Sequence, residues 1–202
     1  ELNIESPEQV HNVDYSAPIT DGPNAVGFDY YFGISASLDM VPYCFIENDR
    51  VTAQPTENRE YPLFMGRPTG NTRLGPAAPG FTTEGVLPEL TRQAVRFVER
   101  SAADARGGKP FFLYLPTNLP HWPLLVPDVD AEPYRKAGLP ANLANVYGMI
   151  ANIDRNVDRL EESLKKNGLV ENTIVIFMAD NGGQFAERQW RYTAGLSGQK
   201  HE

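Results

Sequence analysis

The sequence predicts an α/β fold with a mostly parallel sheet lying between helices. Two continuous apolar runs and the long periodic helix between them carry that prediction. Phe111-Phe112-Leu113-Tyr114-Leu115 and Thr173-Ile174-Val175-Ile176-Phe177-Met178-Ala179 lack the alternation of a half-exposed strand. Unbroken apolar runs of this length mark strands covered on both faces, as in parallel sheets. Between them Leu143, Val146, Ile150, Ile153, Val157, Leu160 and Leu164 recur at helical spacing, the single apolar stripe of an amphipathic helix. Strand, crossover helix and strand make up the α/β unit.

The elements follow in order. Residues 1–27 are polar and proline-dotted, without a period of two or 3.6. From Phe28 to Ile46 aromatic and β-branched residues dominate, broken by Gly33 and Pro42, which reads as short extended pieces joined by turns. Glu47 to Pro88 is rich in proline and glycine and has no period. It reads as a surface insertion. A helix is predicted over Leu87–Ala105, with Leu90, Ala94, Phe97 and Val98 on one face, Pro88 in the first turn and Arg106-Gly107-Gly108 as the stop. Pro116 to Pro133, which holds His121 and Trp122, reads as a loop. Asn167-Gly168 closes the long helix in the usual left-handed manner. The chain thus divides into an irregular, loop-rich part, 1–86, and an α/β core part, 87–202.

Composition narrows the function. The 202 residues carry 18 basic and 26 acidic side chains, a net charge of −8, which argues against nucleic acid or an anionic membrane as the main partner. No apolar run is long enough to span a bilayer. One cysteine, Cys44, excludes an internal disulfide, and no zinc-type Cys/His cluster exists. With nothing basic beside it, Cys44 reads as a small buried hydrophobe. The chain begins at Glu1 without a signal-like stretch, which reads as a mature form or an excised fragment.

Ligands of open α/β sheets bind beyond the carboxyl ends of the strands. The first apolar run leads through Pro116-Thr117-Asn118-Leu119-Pro120 to His121, and the second ends in Asp180-Asn181-Gly182-Gly183. Asp180 and Asn181 offer a carboxylate and an amide oxygen, hard donors that suit calcium or magnesium. Taken alone, Asp-Asn-Gly is more often a turn, His121 a loop histidine and Lys200 a solvated lysine.

In order along the chain stand Gly27-Phe28-Asp29-Tyr30-Tyr31-Phe32-Gly33, Lys109-Pro110 with the first apolar run, and Pro120-His121-Trp122-Pro123. Asn152-Ile153-Asp154, then Asn172 through Gly182, and finally Gly198-Gln199-Lys200 complete the series. This series resembles the central part of a type I sulfatase, in the branch of arylsulfatase A and N-acetylgalactosamine-6-sulfatase. The resemblance implies an alkaline-phosphatase-like fold, incomplete at both ends, so that residues 1–202 are a partial catalytic domain. It implies hydrolysis of a sulfated sugar or aryl sulfate, with bound calcium and a formylglycine nucleophile made from a Cys/Ser-x-Pro-x-Arg motif. By position, Asp180 and Asn181 match metal ligands. His121 matches the histidine that contacts the sulfate or the leaving oxygen, and Lys200 the lysine that holds a sulfate oxygen.

No Cys/Ser-x-Pro-x-Arg motif occurs in the chain, so the formylglycine is expected upstream of it and the isolated chain is expected to be inactive. Two other readings stand beside this one. A phosphomonoesterase or phosphodiesterase of the same superfamily would usually need a histidine-rich pair of metals, and His11, His121 and His201 form no such cluster in sequence. A sulfatase-like module that binds without catalysis would lack the formylglycine motif. The resemblance implies a secreted, periplasmic or lysosomal protein. The lack of an Asn-x-Ser/Thr sequon leans towards a bacterial periplasm or extracellular space. Asp39–Tyr43 and the loop from Glu47 to Pro88 are the segments expected to set specificity.

Overall fold

The computed structural model describes residues 12–64, 70–183 and 198. The chain separates into two compact units, Glu1–Val170 and Glu171–Glu202.

The first unit opens irregularly, with one 3-10 turn at Pro23–Val26 closed by Gly27 at φ 105°. The short extended pieces expected after Phe28 are present. Phe32–Ile34 (β1), Phe45–Glu47 (β2) and Arg50–Val51 (β3) form an antiparallel meander, with Gly33 opposite Ile46 and Ile46 opposite Val51. Asn48, at φ 54°, takes the left-handed position of the β2–β3 turn, which asparagine adopts more readily than most residues.

The stretch from Glu47 to Pro88 is not the surface insertion its composition suggests. Glu57–Arg59 (β4) and Gly75–Ala77 (β5) pair antiparallel, and Ala77 bridges to Tyr43. Ala77, Ala78 and Phe81 are buried with Leu38, Val41, Tyr43 and Cys44 in one core cluster. The residues that pack here are small. A Cβ added to Gly75 would come within 2.7 Å of Val41 Cγ1, so a close approach, rather than a hydrophobic period, builds this layer. Tyr43 is 1% exposed; its hydroxyl is hydrogen-bonded to Thr72 Oγ1 at 2.8 Å and donates to the Arg73 carbonyl. Within Asp39–Tyr43, Val41 and Tyr43 are thus core residues and Met40 is exposed.

Val86–Arg106 (α1) matches the predicted helix. Leu87, Leu90, Ala94, Val98 and Ala102 face inward, Gly107 donates to the Ala103 carbonyl and Gly108 turns at φ 92°. Ala141–Lys166 (α3) is the long helix, ended as expected, with Gly168 at φ 66° and Leu169 N–H donating to the Leu164 carbonyl.

The buried face of α3 differs from the predicted stripe. Leu143, Ile153 and Leu164 are buried, but Ile150 is 50% exposed, while Asn145, Gly148, Asn152 and Asn156 lie inside. The reason is a second helix, Asp128–Lys136 (α2), inside the stretch read as a loop up to Pro133. Pro133 is interior to α2, and a proline there is normally a breaker. The two helices meet at Gly148, where an added Cβ would sit 2.9 Å from Ala131 Cα.

Polar bonds hold that contact. Asp130, 4% exposed, accepts from Asn152 Nδ2 at 2.8 Å and pairs with Arg155 at 2.5 Å. Asn156 Nδ2 donates to the Asn152 carbonyl at 2.8 Å. Burying a polar group is costly unless it is paired, and Asp130, Asn152 and Asn156 each have a partner here.

The two apolar runs join no ladder among the described residues. Phe111, Leu113 and Leu115 are partly buried while Phe112 and Tyr114 are 75% and 65% exposed. That period of two is strand-like. Phe111 and Leu113 pack on a cluster of Val98, Ala102, Leu164 and Leu169, with Phe97 edge-on to Phe111 at 5.5 Å. One face is therefore covered and the other open, where the sequence predicts two covered faces.

In the second unit a 3-10 turn spans Val170–Asn172 from the boundary. Ile174 through Met178 are exposed, Ile174 at 90%. A strand exists by virtue of its neighbours, and among the described residues Ile174 through Met178 pair with no other strand.

Candidate functional site

His121 is carried by the turn that follows the first apolar run. Its backbone N–H donates to the Asn118 carbonyl at 3.2 Å. Its Nδ1 lies 3.2 Å from the Trp122 carbonyl oxygen. A carbonyl can only accept, so this bond puts the proton on Nδ1 and leaves Nε2 available to a ligand. The ring is half-buried and lies tilted against Trp122.

The turn is anchored on both sides. Leu119, Leu124 and Val126 are buried together with Leu87, Met149 and Ile153. Leu124 N–H donates to the Leu63 carbonyl at 3.0 Å, and the Leu124 carbonyl accepts from Asn145 Nδ2 at 2.7 Å. Asn145 Oδ1 in turn accepts from Arg135 Nη2 at 2.8 Å, and Arg135 Nη1 donates to Asp128. A buried amide on α3 thus ties the His121 turn to both helices. Sequence reading missed Asn145, whose only signal was an amide at the helical spacing shared with Asn152 and Asn156.

Asp180 and Asn181 are adjacent and exposed. Asn181 Nδ2 donates to the Gly182 carbonyl at 3.0 Å, which ties up the donor end of the amide and leaves its oxygen available. A carboxylate beside an amide oxygen fits a hard cation in donor chemistry. Among the described residues no three His, Cys, Asp or Glu side chains gather as a metal-binding group, so the fit is in kind of ligand, with two of the six to eight that calcium takes. His121 belongs to the first unit and the Asp180-Asn181 pair to the second. Lys200 lies outside the described residues.

Cys44 is fully buried, and burial pushes its thiol up from 9.0 to about 11. It is inert packing, as its sequence context suggests.

Comparison with known proteins adds a family. The model described as Sulfatase matches residues 11–202. The chain is 28% identical over 191 residues to the "Uncharacterized sulfatase YdeN" of Escherichia coli (strain K12), covering 89% of this chain and 28% of that protein. It is 24% identical over 199 residues to the "N-acetylgalactosamine-6-O-sulfatase" of Bacteroides thetaiotaomicron, covering 84% of this chain and 37% of that protein.

Among solved structures, one from work on glycosaminoglycan metabolism by Bacteroides thetaiotaomicron superposes with a TM-score of 0.64 at 24% identity, covering 84% of this chain and 39% of that one. Ps i-CgsB in complex with k-i-k-neocarrahexaose superposes with a TM-score of 0.55 at 28% identity, covering 81% and 34%. These likenesses establish the alkaline-phosphatase-like α/β class. The chain spans about a third of the length of the relatives and structures it matches.

Proposed function

The chain belongs to the sulfatase family, and from that membership we propose that the whole protein is a sulfuric ester hydrolase acting on a sulfated sugar or aryl sulfate. The observation that carries this reading is the extent of the family match, residues 11–202, which takes in His121, Asp180, Asn181 and Lys200 together. The name of the Bacteroides relative supports the finer placement in the branch of arylsulfatase A and N-acetylgalactosamine-6-sulfatase. In this reading residues 1–202 are part of the catalytic domain, and the protein works in the periplasm, the extracellular space or the lysosome. No described helix is long and apolar enough to cross a membrane.

The roles that the resemblance implies agree with what a sulfate ester requires. As the ester bond breaks, negative charge spreads over the sulfate oxygens and the leaving oxygen, and preorganised donors and cations lower the barrier. Nε2 of His121, left available by the bond at Nδ1, faces the sulfate or the leaving oxygen and donates when protonated. Lys200 holds a sulfate oxygen as a fixed positive charge. The oxygens of Asp180 and Asn181 would hold a calcium ion, which would supply further positive charge near the sulfate. The nucleophile, a formylglycine, comes from outside these 202 residues, and the isolated chain has no turnover.

Release of inorganic sulfate from aryl sulfates and 6-sulfated sugars by the whole protein, set against phosphate release from matched phosphate esters, tests this reading. Sulfate ester turnover that chelation abolishes and calcium restores is the expected result. A preference for phosphate esters would move the protein to the phosphoesterase reading. No turnover of either, with retained binding of sulfated sugars, would make it a binding module.

A further inference from the structure

The side chain of Asn118, three residues before His121, is buried at both polar atoms. Neither Nδ2 nor Oδ1 has a hydrogen-bond partner among the described residues. An amide in that condition is costly, and a partner supplied in another state of the molecule offsets that cost. Its position says which state. The Asn118 carbonyl accepts the His121 N–H, so the two residues move together. The flanks cannot follow freely, because Thr117 Oγ1 donates to the Leu119 carbonyl at 3.1 Å and Leu119 and Leu124 are fixed in the core.

We propose that Asn118 is a positioning residue for His121, engaged when a sulfate ester binds. Among the described residues its two N–H donors and one acceptor are enclosed and unpaired. A small shift of the 118–121 turn upon binding gives them partners and sets the imidazole against the ester. The proposal rests on the reading of His121 as a sulfate-contacting residue. It adds a residue that stores part of the turn's binding response.

The test uses the whole protein with Asn118→Leu, similar in size and without polar atoms, and His121→Ala as the reference. Asn118→Leu is expected to hold or raise the Tm of the ligand-free protein, since it removes unpaired groups. It is expected to lower kcat/KM for a sulfate ester by about tenfold or more, the value of one lost hydrogen bond in the transition state. Unchanged kcat/KM in Asn118→Leu, with a large loss in His121→Ala, overturns the proposal and leaves the site reading standing. Unchanged kcat/KM in His121→Ala overturns the site reading itself. Should the leucine variant not fold, Asn118→Ala decides. Lowered kcat/KM at an undiminished Tm supports the proposal, whereas a clear drop in Tm shows an amide already paired without ligand and overturns it.

Discussion

Replacing Gly148 with alanine should separate α2 from α3 and weaken both stability and the support of the His121 turn. The added Cβ would stand 2.9 Å from both N and Cα of Ala131 and 3.0 Å from the Asp130 carbonyl carbon. Carbon atoms rest at about 3.5–4.0 Å, so the α2 backbone has to retreat by roughly half an ångström or more. Overpacking of this kind costs about 1–3 kcal/mol. The retreat also stretches the bonds of Asp130 to Asn152 and Arg155, at 2.8 and 2.5 Å, with hydrogen bonds to a charged group worth about 1.5–3 kcal/mol each when fully lost. Against this, alanine is favoured over glycine inside a helix by about 1 kcal/mol. The sum is a net loss of about 2–3 kcal/mol, which lowers Tm. Thermal unfolding of the whole protein measures it by calorimetry. The loop that carries His121 runs directly into α2, and a misplacement approaching 1 Å can cost up to about a hundredfold in rate, so kcat/KM should fall with Tm. An unchanged or raised Tm, the normal outcome for Gly→Ala in an uncrowded helix, would refute the close contact and the reasoning built on it.

Three further outcomes are expected. Burial holds the Cys44 thiol up at about 11, from 9.0. The folded state keeps that proton while the unfolded chain loses it, so the contribution is intact below pH 9 and lost between pH 9 and 11. Denaturant titrations at pH 8 and pH 10.5 should show a smaller alkaline loss for Cys44→Ala than for the parent. Asp130→Ala removes the acceptor of Asn152 and the partner of Arg155, and should cost about 2–3 kcal/mol; Asp130→Asn should recover part of it in the same assay. The 202 residues expressed alone expose Phe112 and Tyr114 in the first unit and Ile174 through Met178 in the second, and exposed apolar surface of this kind favours association. Light scattering should report self-association and a hydrophobic dye should bind, whereas a monomer that ignores the dye would contradict this.

The helices that were legible in the sequence are those whose ends are written in glycine and whose apolar residues recur cleanly. Gly107-Gly108 and Gly168 stop α1 and α3 where they were expected. The orientation of α3 was less legible, because its inner face is set by Gly148, by Asn145 and Asn152, which pair with the His121 turn and α2, and by Asn156, which pairs with Asn152. Helix α2 itself was hidden by Pro133. The layer built from Gly75–Ala78 was hidden because small residues in close contact leave no hydrophobic period. For the proposed site, residue types suggest hard-cation chemistry at Asp180-Asn181, while the roles proposed for His121 and Lys200 come only from the order of motifs along the chain. Asn118 and Asn145 were not legible. An amide's role depends on its partner, and Asn145 finds its own 21 residues away, at Leu124.

The central proposal, carried by the order of motifs along the chain, is that Asp180, Asn181, His121 and Lys200 serve one sulfate ester. A crystal structure of the whole protein grown with calcium and soaked with a sulfated sugar tests it most directly. The account predicts one calcium bound by oxygens of Asp180 and Asn181 at about 2.3–2.6 Å, with the sulfate beside it within hydrogen-bond reach of His121 Nε2 and Lys200 Nζ. A sulfate bound without His121 or Lys200, or a calcium ligated elsewhere while Asp180 and Asn181 stay in solvent, would contradict it.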